Sequence, residues 1–347
     1  MIETDRELEQ LAAEGPDIPG LRFRRLRLPD DLAPVSEMHI RAAIADDIDE
    51  RDSPEEWGQW LAHPSGFDPM TDVVVADIGS RLVAYAQARA NDDNDGGRNY
   101  TAGGEVDPEY RGRGLGRAML RHNMRHQWAR AQREAAAASA GGPPVTRRLE
   151  SWAFESQRRR TQLLESEGFA VVRWFFEMLR PDLDDIPDLP MPEGLQIRPV
   201  VPDDHRAIWA ADIEAFRDHW GATEDTEAAF ERFFGGPEFR PDLWRVAWDC
   251  DQVAGVVMNR IMTTFNEQSG ERRGELAGVS VRRPWRRRGL ARAMVAESLR
   301  ALRDDGMTSA VLGVDAENPT GALGVYEDNG FRVHRKGLAL RRPLHDG

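Results

Sequence analysis

Cysteine is almost missing from this chain, and lysine with it. Cys250 stands alone among 347 residues, which excludes an internal disulfide framework and a cysteine-rich metal site. It reads as a small residue near a turn rather than as a nucleophile. Lys336 is the single lysine, so arginine carries the positive charge. An excess of positive charge is also absent: 46 basic against 60 acidic residues leave a formal charge of −14. That balance argues against a general affinity for nucleic acid or acidic lipid. Long apolar runs are lacking, with no stretch of about 18 apolar residues that could cross a bilayer. The N-terminus, Met1-Ile2-Glu3-Thr4-Asp5, is acidic and has no apolar leader segment. The expectation is a cytoplasmic protein without a membrane or nucleic-acid partner and without a bound metal.

What the chain does have is length for two ordinary domains and a hydrophobic content of 40% to give each a core. Residues 1–19 form a polar lead-in. Leu21-Arg22-Phe23-Arg24-Arg25-Leu26 alternates as a half-buried strand. Amphipathic helical patterns follow at 33–47 and 55–61, then a hairpin of 73–76 and 82–88. A strand ending at Val106 leads into a basic turn and a helix that the Gly-Pro run near residues 141–144 must end. Strand, helix and strand patterns over 149–179 complete a first domain, 20–180. Residues 181–193, rich in proline and acid, have the composition of an exposed connector. The pattern then restarts. Gly194-Leu195-Gln196-Ile197-Arg198 repeats Gly20-Leu21-Arg22-Phe23-Arg24 at a spacing of 174, and a second hairpin surrounds Asp249-Cys250-Asp251. A repeat of this size is a duplicated domain rather than a solenoid unit, and the second copy is expected over 194–347. The alternating strand and helix patterns of both copies lead to an α/β fold class.

The duplication is plainest at two strand–turn–helix junctions. Val279-Ser280-Val281-Arg282-Arg283-Pro284-Trp285-Arg286-Arg287-Arg288-Gly289-Leu290-Ala291-Arg292 reads as a strand, a basic turn and the first turn of a helix running through Leu302. Arg111-Gly112-Arg113-Gly114-Leu115-Gly116-Arg117 occupies the same place in the first copy, with Arg111 and Arg286 lying 175 positions apart. Such a junction aims unpaired N–H groups and the positive end of a helix dipole at an anion, and its small residues let a phosphate approach the backbone. Neither copy has the Gly-Lys-Ser/Thr ending of a P-loop or the spacing of a dinucleotide fingerprint.

Both junctions fit R-x-x-G-x-[GA] and resemble the acetyl-CoA pyrophosphate loop of the GNAT superfamily of N-acetyltransferases. The resemblance implies two tandem GNAT-fold domains covering residues 20–345. It implies acetyl-CoA as co-substrate, held by Val279, Val281 and 286–292 in the second copy and by Arg111, Gly112, Arg113, Gly114, Gly116 and Arg117 in the first. Amine acetylation needs a base for the ammonium, whose ordinary pKa is roughly 10, and benefits from an acid for the departing thiolate. Glu275, eleven positions before Arg286, stands where several GNAT members carry their base. Residues 314–331 resemble the family's second conserved segment, in which Asn318 would bond the pantetheine arm and Tyr326 would protonate the sulfur.

The first copy departs from the pattern. Tyr100 lies eleven positions before Arg111, while matching Gly168-Phe169 to Gly330-Phe331 puts Leu164 in place of Tyr326 and Ser156 in place of Asn318. It is therefore expected to bind acetyl-CoA or merely to support the second copy, without transferring anything; Glu105 is an alternative base there. Phe216, His219 and Trp220 are candidate contacts of the acceptor amine, against packing of Trp220 and exposure of His219. The two-domain layout and the Phe-x-x-His segment resemble the mycothiol-synthase branch of the superfamily, which implies a cysteinyl amine as one possible acceptor. His122 and His126 are expected on a solvated helical face, Asp315 as a turn partner or second base, and Trp57, Trp60, Trp128, Trp152 and Trp174 as core and interface aromatics. The reading reached is an acetyltransferase acting on a small-molecule primary amine by direct transfer in a ternary complex, as monomer or homodimer. The competing class is a non-catalytic acyl-CoA binder or sensor.

Overall fold

The structure is a computed structural model that describes residues 3–137, 145–217, 219–221, 225–318 and 321–344. The chain divides into two compact units, Met1–Val172 with Ala339–Gly347, and Arg173–Leu338. The Gly-Pro run expected to end the long helix of the first copy falls at 138–144, outside the described residues. So do Asp218 of the acceptor segment and residues 319–320.

The first unit begins with α1 (Glu3–Glu14), followed by β1 (Leu21–Arg25), α2 (Leu32–Asp46), α3 (Pro54–Ala62) and the short α4 (Pro69–Asp72). It continues through β2 (Val73–Ile78), β3 (Arg81–Asp92), β4 (Arg98–Val106), α5 (Leu115–Ala137), β5 (Arg147–Phe154) and α6 (Arg158–Ser166). Local chemistry fixes the ends. Ser53 and Glu56 close a reciprocal capping box on α3, with Pro54 in its first turn. The strands lie in the order β1-β2-β3-β4-β5, antiparallel up to β4 and parallel between β4 and β5. Leu11 of α1 and Leu115 and Met119 of α5 share one apolar cluster with Val74, Val83 and Ala86 of the sheet. Trp57, Val35 and Met38 build another on the α2–α3 side.

Two expectations change here. His122 and His126 are buried rather than solvated, at 3% and 7% exposure, because α1 packs on α5 and brings Glu7 within 3.1 Å of the His126 ring, whose other nitrogen lies 2.9 Å from Asp72. Trp152 is exposed rather than packed in the core.

The second unit starts in β6 (Ala170–Arg180), which the sequence places in the first domain; Phe175 to Arg180 pair antiparallel with Asp315 to Ala310 of the second unit. Then come β7 (Leu195–Arg198), α7 (His205–Phe216), α8 (Glu227–Gly235), β8 (Arg245–Asp249), β9 (Gln252–Ile261), α9 (Thr263–Ser269), β10 (Arg273–Val281) and α10 (Leu290–Asp304). After them follow β11 (Ser309–Asp315), α11 (Ala322–Asp328) and β12 (Arg332–Pro343), whose residues from Ala339 on belong to the first unit. The connector residues 181–193 form no helix or strand. Strand order repeats that of the first unit: β7-β8-β9-β10 antiparallel, β10 and β11 parallel. Leu290, Met294, Leu299 and Leu302 all point from α10 into the core, as their helical spacing requires. Trp174 on β6 is exposed, again against expectation, since alternate residues of a strand face opposite sides. Among the described residues no helix is long and apolar enough to cross a membrane.

Candidate active site

Each unit contains a fork where two parallel strands part. β10 and β11 pair from Arg273/Ser309 only as far as Leu276/Leu312, and β4 and β5 from Arg98/Arg147 as far as Thr101/Glu150. Beyond those points each strand continues without the other, and the main-chain groups on the facing edges lose their ladder partners, the kind of edge on which an extended amide chain pairs when nothing fills it. Just past the fork β10 carries an irregularity between Leu276 and Gly278, and a Cβ on Gly278 would sit 2.2 Å from the Met258 side chain.

The basic loops follow the forks and match residue by residue. Each begins with a single 3-10 turn, Pro108–Tyr110 or Arg283–Trp285. Arg111 turns back to the Val106 carbonyl at 3.0 Å and Arg286 to the Val281 carbonyl at 2.9 Å, five residues upstream in both. Their outer nitrogens reach the end of the preceding long helix, Asp46 at 2.5 Å in α2 and the Ala215 carbonyl at 3.1 Å in α7. Both guanidiniums thus hold loop to strand and helix. Gly112 and Arg287 share a positive φ, 76° and 60°, as do Gly114 and Gly289, 90° and 83°. Through 111–117 and 286–292 the exposure pattern is the same, with the second to fourth residues open and Leu115 or Leu290 buried. The Ala293 N–H bonds the Gly289 carbonyl, so the N–H groups of Leu290, Ala291 and Arg292 have no partner within the helix. A Cβ on Gly289 would meet nothing within 4 Å. This surface suits a diphosphate, and Arg287 and Arg288 beside it are exposed. Arg292 and Arg117 also form ion pairs, with Asp328 and Glu167, both at 2.5 Å.

Glu275 sits on β10 inside the paired stretch, opposite Arg260 of β9. Arg260 Nε donates to Glu275 Oε2 at 2.6 Å, while its Nη1 reaches Glu238 at 2.5 Å. Tyr326 lies on α11, buried to 6% exposure with its ring edge toward Phe331. Burial pushes its phenol well above the usual tyrosine value. Asn318 lies between β11 and α11 and its N–H caps the Asp315 carbonyl at 3.1 Å. Asp315 accepts from the Glu317 N–H at 3.0 Å as a turn partner does, and Arg173 holds it through two further bonds of 2.9 Å. In the acceptor segment His219 packs on Phe216 at 4.4 Å between ring centroids, and Trp220 lies 5.8 Å from Phe175 and 6.0 Å from the Arg173 guanidinium. His219 is half-buried rather than fully exposed.

Comparison of the two units brings out groups that the motifs did not mark. Asp212 of α7 is 8% exposed, its Oδ1 without a hydrogen-bond partner. Burial pushes its carboxyl up to about 6, against the lowering effect of a hydrogen bond with Ser280. The corresponding pair in the first unit is His39 and Glu105, with Nδ1 3.0 Å from Oε2. Burial opposes the charge on His39, but Glu105 and the acidic residues around it raise the imidazole to about 9. Glu105 lines a cavity of about 800 Å³ that also touches Tyr85, Arg111, Gly114 and Arg160. Glu105, the alternative base of the first copy, and Ser280 both lie six residues before their loop arginines; Asp212 and His39 lie far from either loop in the sequence and carry no local signal.

The acetyltransferase (GNAT) family model matches residues 36–140 and 206–331, one stretch in each unit. The chain belongs to the GNAT family. This GNAT chain is 28% identical over 322 residues to the mycothiol acetyltransferase of Streptomyces scabiei, covering 92% of this chain and 95% of that protein. It is 27% identical over 325 residues to that of Streptomyces bingchenggensis, covering 92% and 96%. Among solved structures it resembles a GCN5-related N-acetyltransferase from Sphaerobacter thermophilus, with 26% identity, a TM-score of 0.65 and coverage of 95% and 98%. A tandem GNAT protein from the clavulanic acid biosynthesis pathway, at 15% identity, shares the fold with a TM-score of 0.64 over 94% and 99%. The chain is accordingly a tandem GNAT acyltransferase, with the layout of the mycothiol acetyltransferases, and acetyl-CoA use follows from the family.

Proposed function

We propose that the second unit transfers an acetyl group from acetyl-CoA to the primary amine of a small molecule, directly and in a ternary complex. The observation that carries this reading is the parting of β10 and β11 directly after Glu275's paired stretch, with an open helix N-terminus at the end of one strand and Tyr326 in the helix after the other. The diphosphate lies on the N–H groups of 287–292, the pantetheine arm runs along the fork, and Asn318 bonds it. The amine nitrogen attacks the thioester carbon. Its proton passes through water to Glu275, whose Oε2 is held by Arg260, leaving Oε1 to receive it. The C–S bond breaks as the amide C–N bond forms, and the Tyr326 phenol, kept protonated by burial, supplies the thiolate proton. Phe216, His219 and Trp220 border the acceptor. The first unit does not transfer acetyl groups in this account.

The curated relatives are mycothiol acetyltransferases, which favours one acceptor class, the cysteinyl amine that the sequence resemblance implies. Thiol release from acetyl-CoA, followed with a panel of primary amines that includes cysteinyl glycosides, tests the reading. Release that depends on an amine and falls at least tenfold in Glu275→Gln supports it. Amine-independent release, or none with any amine, contradicts it.

A further inference from the structure

The two forks differ in what fills them. In the first unit the Ser151 hydroxyl donates to the Ala102 carbonyl at 2.8 Å, directly beyond the last paired residues of β4 and β5. Arg160, from the first turn of α6, then spans the gap. Its Nε donates to the Trp152 carbonyl of β5 at 2.6 Å, its Nη1 to the Gly104 carbonyl of β4 at 2.5 Å, and its Nη2 lies 3.4 Å from Ser151 Oγ. These are the edge groups that an extended amide chain entering the fork would need. A guanidinium set on neutral carbonyls has lost water without gaining a bonded carboxylate, and burial depresses its pKa.

The spacing of 162 that superposes Gly168-Phe169 on Gly330-Phe331 also superposes Glu150 on Leu312, the last paired residues of β5 and β11. It sets Ser151 against Gly313 and Arg160 against Ala322. Neither Gly313 nor Ala322 has a side chain able to bridge strands, and a Cβ on Gly313 would meet nothing within 4 Å. We propose that Ser151 and Arg160 are an internal occupant that closes the first unit's fork to an acyl-pantetheine arm, which the second unit admits through Gly313 and Ala322. The first unit then keeps its loop and cavity but cannot seat a thioester between its strands. This rests on the reading that acetyl-CoA lies along the second unit's fork.

Calorimetric titration of the full chain with acetyl-CoA tests the exchange of residues in both directions. In a Gly289→Trp chain, whose second loop is obstructed, no binding is expected; adding Ser151→Gly and Arg160→Ala should restore one acetyl-CoA per chain. Conversely, Gly313→Ser with Ala322→Arg in the otherwise native chain should weaken binding at least 100-fold while thermal unfolding stays cooperative. Binding by Gly289→Trp alone would mean that the first fork is already open and would overturn the proposal. So would unchanged binding after the reciprocal exchange, which needs no change in the first unit. If the native chain binds no acetyl-CoA, the reading of the second unit falls and the inference with it; if it binds and the exchanges change nothing, only the inference falls.

Discussion

In the proposed transfer Tyr326 gives a proton and Glu275 takes one, and the surroundings of Tyr326 suit it to that work. Tyr326 is surrounded by apolar residues that favour the neutral phenol, so it remains a proton donor through neutral and mildly alkaline pH. Replacing it with phenylalanine removes one hydroxyl and leaves the apolar packing in place. Tyr326→Phe should therefore lower kcat by about 10²-fold, the usual contribution of a positioned acid, with acetyl-CoA affinity near that of the native chain. Unchanged kcat would remove Tyr326 from the mechanism. Asp212 offers a test of stability rather than of turnover. Its folded pKa, about 6, is above the ordinary aspartate value, so the buried group favours folding while protonated and opposes it as pH rises through 6. Asp212→Asn should raise the unfolding temperature of the second unit at pH 8 by a few degrees and make little difference at pH 4. An equal shift at both pH values would contradict that assignment.

Among the elements, the strand–loop–helix junctions were legible in the sequence because their geometry is local: a φ that favours glycine and the start of an amphipathic helix are set within a dozen residues. Leu290, Met294, Leu299 and Leu302 declared the buried face of α10 in the same way. What stayed hidden depends on partners far along the chain. His126 looked like a surface residue of α5 because Glu7 and Asp72, the groups that bury and charge it, lie 119 and 54 residues away. The bond from Arg160 to the Gly104 carbonyl, 56 residues away, was invisible for the same reason. The α1 contact has a measurable consequence. Burial opposes the charge on His126, but hydrogen bonds to Asp72 and Glu7 raise its pKa to about 9. Its contribution is complete below the ordinary histidine value near 6.5 and is lost as pH rises through 9. The first unit should lose several degrees of thermal stability between pH 6.5 and 10, and His126→Asn should flatten that slope. A slope unaffected by the substitution would show that His126 does not tie α1 down.

At the scale of the whole chain, one ancestral plan has been used twice and altered unequally. The same strand order, fork, loop φ angles and arginine-to-carbonyl bonds recur, while the helix-to-loop ion pair has changed polarity, from Arg41–Asp107 in the first unit to Glu214–Arg282 in the second. Sequence spacing exposed the duplication and the loss of the tyrosine and asparagine from the first copy. It did not expose the compact units, because Ala339–Gly347 join the first unit through contacts such as Arg341 to Glu150 at 2.6 Å and to Asp93 at 2.7 Å. In the proposed function these halves divide the labour, with acetyl-CoA used by the second. The most direct measurement is the calorimetric stoichiometry of acetyl-CoA on the full chain beside its Gly289→Trp and Gly114→Trp variants. One acetyl-CoA per chain is expected, lost in Gly289→Trp and retained in Gly114→Trp; binding that survives Gly289→Trp and disappears in Gly114→Trp would contradict that division.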